Sequence, residues 1–301
     1  MKEPEKLLAE LSDRYQFLEE LGQGGMGIVY RAHDNFLAID VAIKLLKGQR
    51  SDQEVIRFQN EARTQAKLKH ENIAQILDFG QLKTNGFMYL VMEYVSSKTL
   101  EDYIERYGAL KLRAGLSVFR QILEGINHAH EKSVIHRDLK PSNILIKEDK
   151  DGKIICKLVD FGIAKTIDHE GTATPTAIFG SPYYMSPEQI DGLTVDSRSD
   201  IYSLGCLFYK ILKGDTPYKG ETKIDTFALH KTANYPGLNY GSGNDTINNS
   251  LDRIIAKCLA KSPQARYQKI SELLNEIQKL LNEIQNLEGQ LEGTGRSSEE
   301  E

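Results

Sequence analysis

Strand-type and helix-type periodicities divide this chain into two consecutive stretches, and that order constrains the fold more than any other feature. From Tyr15 to about Met92 the runs are short and rich in β-branched and aromatic residues: YQFLEEL, IVYRAHD, DVAIKLL and GFMYLVMEYV. One helical period interrupts them, DQEVIRFQNEARTQAKL, with Val55, Phe58, Ala62 and Ala66 roughly on one face. After Tyr94 helices take over. AGLSVFRQILEGINHAHEK is amphipathic, SDIYSLGCLFYKILKG is nearly apolar and reads as buried on most sides, and LDRIIAKCLA is a further helix. Residues 235–250 are rich in Gly, Asn and Ser and read as a long loop. Strands first and helices afterwards predict an α+β chain of two lobes with a cleft between them.

The expected boundaries are a helical extension over 1–13, a β-rich lobe over 14–93, a helical lobe over 94–275, and a heptad-like helix with an acidic, disordered tail over 276–301. In that last segment Leu273, Leu280 and Leu287 recur every seven residues, with Ile277 and Ile284 between them. Two good heptads fall short of a coiled coil, so a helix resting on the domain and an oligomerising helix both stay open.

The totals exclude several classes. A net charge of -5 argues against nucleic acid as a partner. Three cysteines without a CxxC pair (Cys156, Cys206 and Cys258) point to a reducing compartment and no structural zinc. The charged start MKEPEKLLAELSD is no secretory signal, and no apolar run is long enough to span a bilayer. A cytoplasmic protein is expected.

Four motifs carry chemistry. GQGGMG places glycine at 22, 24 and 27, and the β-branched IVYRAHD that follows continues as a strand, which argues against a dinucleotide-binding turn leading into a helix. A glycine-rich strand-turn-strand lets backbone N–H groups approach phosphate oxygens. In VAIK, Lys44 lies on a mostly buried strand and needs an anionic partner, for which Glu61 in the first helix is the candidate. A solvated helix face is the alternative for Glu61. VIHRDLKPSNILI holds a short charged loop between two apolar runs, a rigid mount for Asp138 and Asn143. An aspartate can deprotonate a hydroxyl, an asparagine oxygen can serve a divalent cation, and Lys140 adds charge where phosphate would transfer. KLVDFGIA ends another apolar strand on Asp160.

Taken in order, GxGxxG, VAIK, HRDLKPSN, DFG and SPE resemble the protein-kinase signature over about residues 15–270, in the form carried by bacterial serine/threonine kinases of the Hanks type. The resemblance implies a bilobal fold with the active site in the cleft, and a kinase transferring the ATP γ-phosphoryl group to Ser/Thr hydroxyls of proteins. It implies that Gly22, Gln23, Gly24, Gly25, Met26 and Gly27 cover the phosphates. Leu21, Val29, Ala42 and Leu145 would sandwich adenine, with Met92 as gatekeeper and Glu93 and Val95 at the adenine edge. Lys44 would bind the α- and β-phosphates and pair with Glu61. Asp138 would be the base, Lys140 would steady the γ-phosphate, and Asn143 and Asp160 would hold magnesium, with manganese as an alternative. Among structural positions, Asp200 would anchor the catalytic loop, Arg266 would pair with Glu188, and His136 and Phe161 would stack with Ile76 and Gln65. Ser181 would bridge Asp138 and Lys140, and Ile163 leans toward threonine acceptors.

The stretch GTATPTAIFGSPYYMSPE has no charge before Glu188 and resembles an activation segment. Thr174 and Thr176 are the candidate phosphosites, with Arg57, Arg137 and Lys165 as cations for the added phosphate. Phe179, Pro182 and Tyr183 would shape the acceptor side. Autophosphorylation, with a homodimer for phosphorylation in trans, is the expected regulation. A binding scaffold that has lost catalysis and a small-molecule kinase remain the competing classes. The presence of Lys44, Glu61, Asp138, Asn143 and Asp160 speaks against the first, and the DFG–SPE spacing against the second.

Overall fold

The computed structural model describes residues 9–24, 27–46, 48, 51–84, 86–148, 150, 153–162 and 181–296, with side chains on the last helix described through Leu287. Two compact units emerge. The first is built on the residues up to Ser97 and again on Leu158 to Gly162, and the second on Lys98–Lys157 and the residues from Ser181 onward.

The first unit is a five-stranded antiparallel sheet with one long helix. Its strands are β1 (Tyr15–Gly24), β2 (Gly27–Asp34), β3 (Ile39–Leu46), β4 (Ile76–Gln81) and β5 (Met88–Glu93), in the spatial order β1-β2-β3-β5-β4. β3 is central and buried along nearly its whole length, which its run VAIKLL allows because only Lys44 is polar. Alternation divides its side chains between two cores. Val41, Ile43 and Leu45 pack with Tyr15, Tyr30, Ala32 and Val91 on one face. Leu46 packs on the other with Met88, Leu90, Ile76 and the helix residues Phe58 and Ala62. That helix, α1 (Asp52–Gln65), begins at a capping box in which Ser51 and Glu54 satisfy each other's backbone N–H. Before β1, Glu10 accepts hydrogen bonds from the Lys83 and Thr84 backbone N–H groups, tying the start of the described chain to the β4–β5 turn.

The second unit is mainly helical. A small sheet of β6 (Lys98–Thr99), β7 (Ile144–Glu148) and β8 (Ile154–Leu158) accompanies α2 (Leu100–Tyr107), α3 (Leu112–Glu131), α4 (Pro187–Ile190), α5 (Ser197–Lys213), α6 (Lys223–Thr232), α7 (Asp245–Cys258) and α8 (Ile270–Arg296). α5 is buried on almost every side, as its apolar sequence requires. The heptad residues Leu273, Ile277, Leu280 and Ile284 are buried too, with α8 packed on α3 and α7. The repeat is thus consumed within the unit and leaves no seam for a partner helix along those four positions.

Three elements differ from the periodicity reading. α2 and α6 escape it because each is short, and their starts are marked by capping boxes, Thr99 with Asp102 and Thr222 with Asp225, rather than by a long apolar stripe. α7 starts at Asp245, inside the stretch read as loop. Asn244 accepts from the Ile247 N–H and turns a Gly/Asn-rich loop into a helix start.

Candidate active site

In the first unit the glycine-rich turn joins β1 to β2, with Gly22 opposite Val29, Gln23 opposite Ile28 and Gly24 opposite Gly27. The glycines are not equivalent. A Cβ on Gly27 would lie 2.0 Å from the Leu45 carbonyl oxygen, so the sheet itself demands glycine there. A Cβ on Gly22 or Gly24 would meet nothing within 4 Å among the described residues. The described residues leave both of those places open, as a cradle for a ligand's phosphates would. Leu21 beside them is an exposed apolar side chain. Cross-strand pairing sets Val29 against Lys44 and Ala42 against Met92, so all four share one face of the sheet. Glu93 follows Met92, and its N–H donates to the Gln75 carbonyl. Lys44 is buried and its Nζ lies 2.5 Å from Asp160 Oδ1. Asp160 itself adopts φ of 61°. Next to it Phe161 is buried, and its carbonyl accepts a 3.4 Å hydrogen bond from Gln65 of α1.

In the second unit the charged loop between α3 and β7 is organised by a buried carboxylate. Asp200 of α5 accepts the backbone N–H of His136 at 2.8 Å and of Arg137 at 2.9 Å, while His130 lies 2.7 Å away. Burial alone would raise the Asp200 pKa. The bond to His130, its charge and the loop N–H groups outweigh that and hold the carboxyl below its ordinary value. Arg137 sits at φ of 62°, an unfavourable backbone for a long side chain, and its carbonyl is held by Gln189 Nε2 at 3.1 Å. The loop then presents Asp138, Lys140 and Asn143 together. Lys140 Nζ is 3.1 Å from Asp138 Oδ2, and Asn143 Nδ2 donates to the Asp138 carbonyl at 2.8 Å and to Oδ2 at 3.2 Å. Asn143 thus spends its N–H groups on Asp138, which turns the acceptor Oδ1 away as a neutral oxygen suited to a hard cation. Leu145, on β7, is half-buried.

Glu188 and Arg266 form a bidentate pair at 2.7 and 2.8 Å, closed to solvent. The other Arg266 donors go to the carbonyls of Ala260, Arg198 and Lys261, and Ser199 Oγ donates to Glu188. Burial raises the Glu188 pKa, and the bonds from Arg266 and Ser199 overcome it to leave the carboxyl below its ordinary value.

The sequence pattern of the protein kinase domain matches residues 15–278. The chain belongs to the protein kinase family. The serine/threonine-protein kinase PrkC of Bacillus subtilis is 38% identical to this kinase domain over 269 residues, 89% of this chain and 40% of PrkC. The serine/threonine-protein kinase PknB of Mycobacterium leprae is 37% identical over 272 residues, 89% of this chain and 43% of PknB. The chain thus spans about two fifths of the length of the curated relatives it matches. Among solved structures, Rad53 1–466 in complex with AMP-PNP aligns with a TM-score of 0.69 at 27% identity, covering 90% of this chain and 68% of that one. The Mycobacterium tuberculosis PknI kinase domain has the same fold, with a TM-score of 0.68 at 24% identity, covering 88% and 96%.

Two expected contacts of this kinase domain are not made. Lys44 does not pair with Glu61. Its buried ammonium is satisfied by Asp160, and Glu61, half-buried on α1, has no hydrogen bond or ion pair among the described residues. Ser181 does not bridge Asp138 and Lys140, which bond each other directly. Arg57 is half-buried on α1. Gly25, Met26, Ile163, Lys165, Thr174, Thr176 and Phe179 lie outside the described residues. Sequence reading missed His130, Gln189 and Ser199, which brace the charged loop and Glu188. The only local signal is a histidine at the end of an amphipathic helix, since their partners lie 11 to 70 residues away.

Proposed function

We propose that this chain is the catalytic domain of a serine/threonine protein kinase that moves the ATP γ-phosphoryl group to serine and threonine hydroxyls of proteins. The observation that carries the reading is the Asp138–Lys140–Asn143 cluster braced by Asp200. Asp138 is a buried carboxylate with a cation and an amide on its Oδ2, so its orientation is set before any acceptor arrives. In this role it accepts the proton of the acceptor hydroxyl as the oxygen attacks phosphorus. Lys140 offsets the charge developing on the transferred group, and Lys44 holds the α- and β-phosphates. Asn143 and Asp160 supply the oxygens for magnesium, which when bound neutralises phosphate charge. Leu21, Val29, Ala42, Met92 and Leu145 enclose adenine, whose edge meets the Glu93 and Val95 backbone. The names of the curated relatives and the AMP-PNP bound by Rad53 support the same reading.

Activation by autophosphorylation between 160 and 188, at Thr174 or Thr176 and between two copies of the chain, is the regulatory part of the proposal. Mass spectrometry of the purified protein after incubation with Mg-ATP tests it. Phosphate on Thr174 or Thr176, absent in Asp138→Asn, is expected. An unmodified parent that still phosphorylates an added protein removes the autophosphorylation part and leaves the transferase.

A further inference from the structure

Arg31 occupies a place in the first unit that its surface position does not explain. Register puts it opposite Glu19 of β1 and Ala42 of β3, and it lies two residues beyond Val29 on β2. It therefore stands on the same face as Val29 and Ala42, at the end of the row proposed to enclose adenine. Its guanidinium is spent on carboxylates across three strands. Nη1 donates to Glu19 Oε1 at 3.0 Å, while Nε and Nη2 donate to Asp40 Oδ2 at 2.9 and 2.6 Å. His33 Nδ1 lies 3.0 Å from the other Asp40 oxygen, which fixes the rotamer of that carboxylate.

So fixed, the guanidinium carries its Cζ to 4.8 Å from the centroid of the Tyr94 ring. Tyr94 is half-buried and lies in the segment that leaves β5, between Glu93 and Val95. Upstream, that segment is pinned by the Glu93 N–H to the Gln75 carbonyl, and downstream Ser97 Oγ donates to the Val95 carbonyl at 3.3 Å. Arg31 adds a lateral contact from the sheet at the middle residue. An isolated surface ion pair would contribute little. A planar guanidinium held at three donor atoms and stacked on an aromatic ring is a stiffer device, and lysine cannot reproduce it.

We propose that Arg31 is a positioning residue for the nucleotide, clamping Tyr94 from the Glu19–Asp40 bracket and so fixing the Glu93–Val95 backbone that meets the adenine edge. The inference rests on the proposed function, because it assumes that this backbone reads adenine.

The test compares Arg31→Ala, Arg31→Lys, Tyr94→Ala and Tyr94→Phe with the parent. Affinity for a non-hydrolysable ATP analogue with magnesium is read by calorimetry, and KM for ATP, KM for a protein acceptor and kcat by phosphate transfer. Arg31→Ala is expected to weaken nucleotide binding about three- to tenfold and to raise the ATP KM in step. Acceptor KM and kcat at saturating ATP should stay within about twofold of the parent. Arg31→Lys should recover part of the loss and Tyr94→Phe nearly all of it. Arg31→Ala combined with Tyr94→Ala should bind no more weakly than the worse single variant. Should Arg31→Ala fail to fold, Tyr94→Ala carries the same expectation. Unchanged nucleotide affinity in Arg31→Ala, or losses that fall equally on ATP and acceptor, overturns the inference and leaves the function standing. A folded parent that binds no ATP analogue overturns both.

Discussion

Lys44 Nζ stands 2.5 Å from Asp160 Oδ1, and Glu61 takes no part in the pair. The two ends differ in environment, since the lysine side chain is 8% exposed and the aspartate 32%. Removing the lysine lets Asp160 re-solvate, so Lys44→Met should keep the melting temperature near that of the parent. Its phosphate transfer should fall about a hundredfold or more, the usual loss when a group placed on developing charge is deleted. Radiolabel transfer and a thermal melt on one preparation check both halves.

Glu61→Gln separates the arrangement seen here from a working one. With no partner to lose among the described residues, stability should change by less than about 0.5 kcal/mol. Turnover should nevertheless drop, since the role proposed for Glu61 is to take the lysine once nucleotide and magnesium engage Asp160. An unaltered kcat would remove Glu61 from the catalytic set.

Gly27 and Gly22 should respond oppositely to alanine. In Gly27→Ala the new methyl collides with the Leu45 carbonyl at 2.0 Å, so the sheet must shift and stability should fall by about 1–3 kcal/mol. Gly22→Ala meets nothing among the described residues and should leave stability alone while raising the ATP KM. Urea unfolding with ATP titration distinguishes the two.

The Glu188–Arg266 pair should be costly to break from one side. Glu188→Gln leaves a buried guanidinium without its counter-charge, for an expected loss of about 3–5 kcal/mol in chemical denaturation.

His230 gives the second unit an acid-side weakness. It is fully buried, bonded through Nδ1 to the Tyr202 hydroxyl, and edge-on to Tyr218. Burial first and the Lys261 charge second push its pKa down to about 3, against an upward pull from the Tyr183 backbone. Between that value and the ordinary 6.5 only the unfolded chain binds the proton. The contribution is therefore complete above about pH 6.5 and is lost as pH falls, by up to about 1.4 kcal/mol per unit. Glu188 and Asp200, held below their ordinary values, lose theirs at lower pH still. Denaturation curves between about pH 7 and pH 4 should slope less for His230→Gln than for the parent.

What could be read from the residues, and what could not, follows from the range of the interactions. The glycine turn, the Asp138 loop and the apolar α5 are contiguous, and each shows its chemistry within a dozen residues. The heptads of α8 were visible as a repeat, but not their destination, because an apolar stripe does not say whether α3 or a second chain covers it. The contact that Lys44 makes with Asp160 in this structure was not legible for a related reason. Two carboxylates are candidates for one ammonium, and Asp160, which takes it here, lies 116 residues away in sequence. Nothing local marks Arg31: cross-strand register sets it opposite Ala42, and the fold brings its guanidinium over the Tyr94 ring.

The central claim, phosphate transfer to protein hydroxyls through Asp138, is tested most directly by phosphoamino-acid analysis of an acceptor protein labelled from γ-labelled ATP, with Asp138→Asn beside the parent. The account predicts label on serine or threonine with the parent. The variant should lose at least about a hundredfold in transfer while still binding the ATP analogue. Equal transfer by Asp138→Asn, or a nucleotide-binding parent that labels no protein, would contradict it.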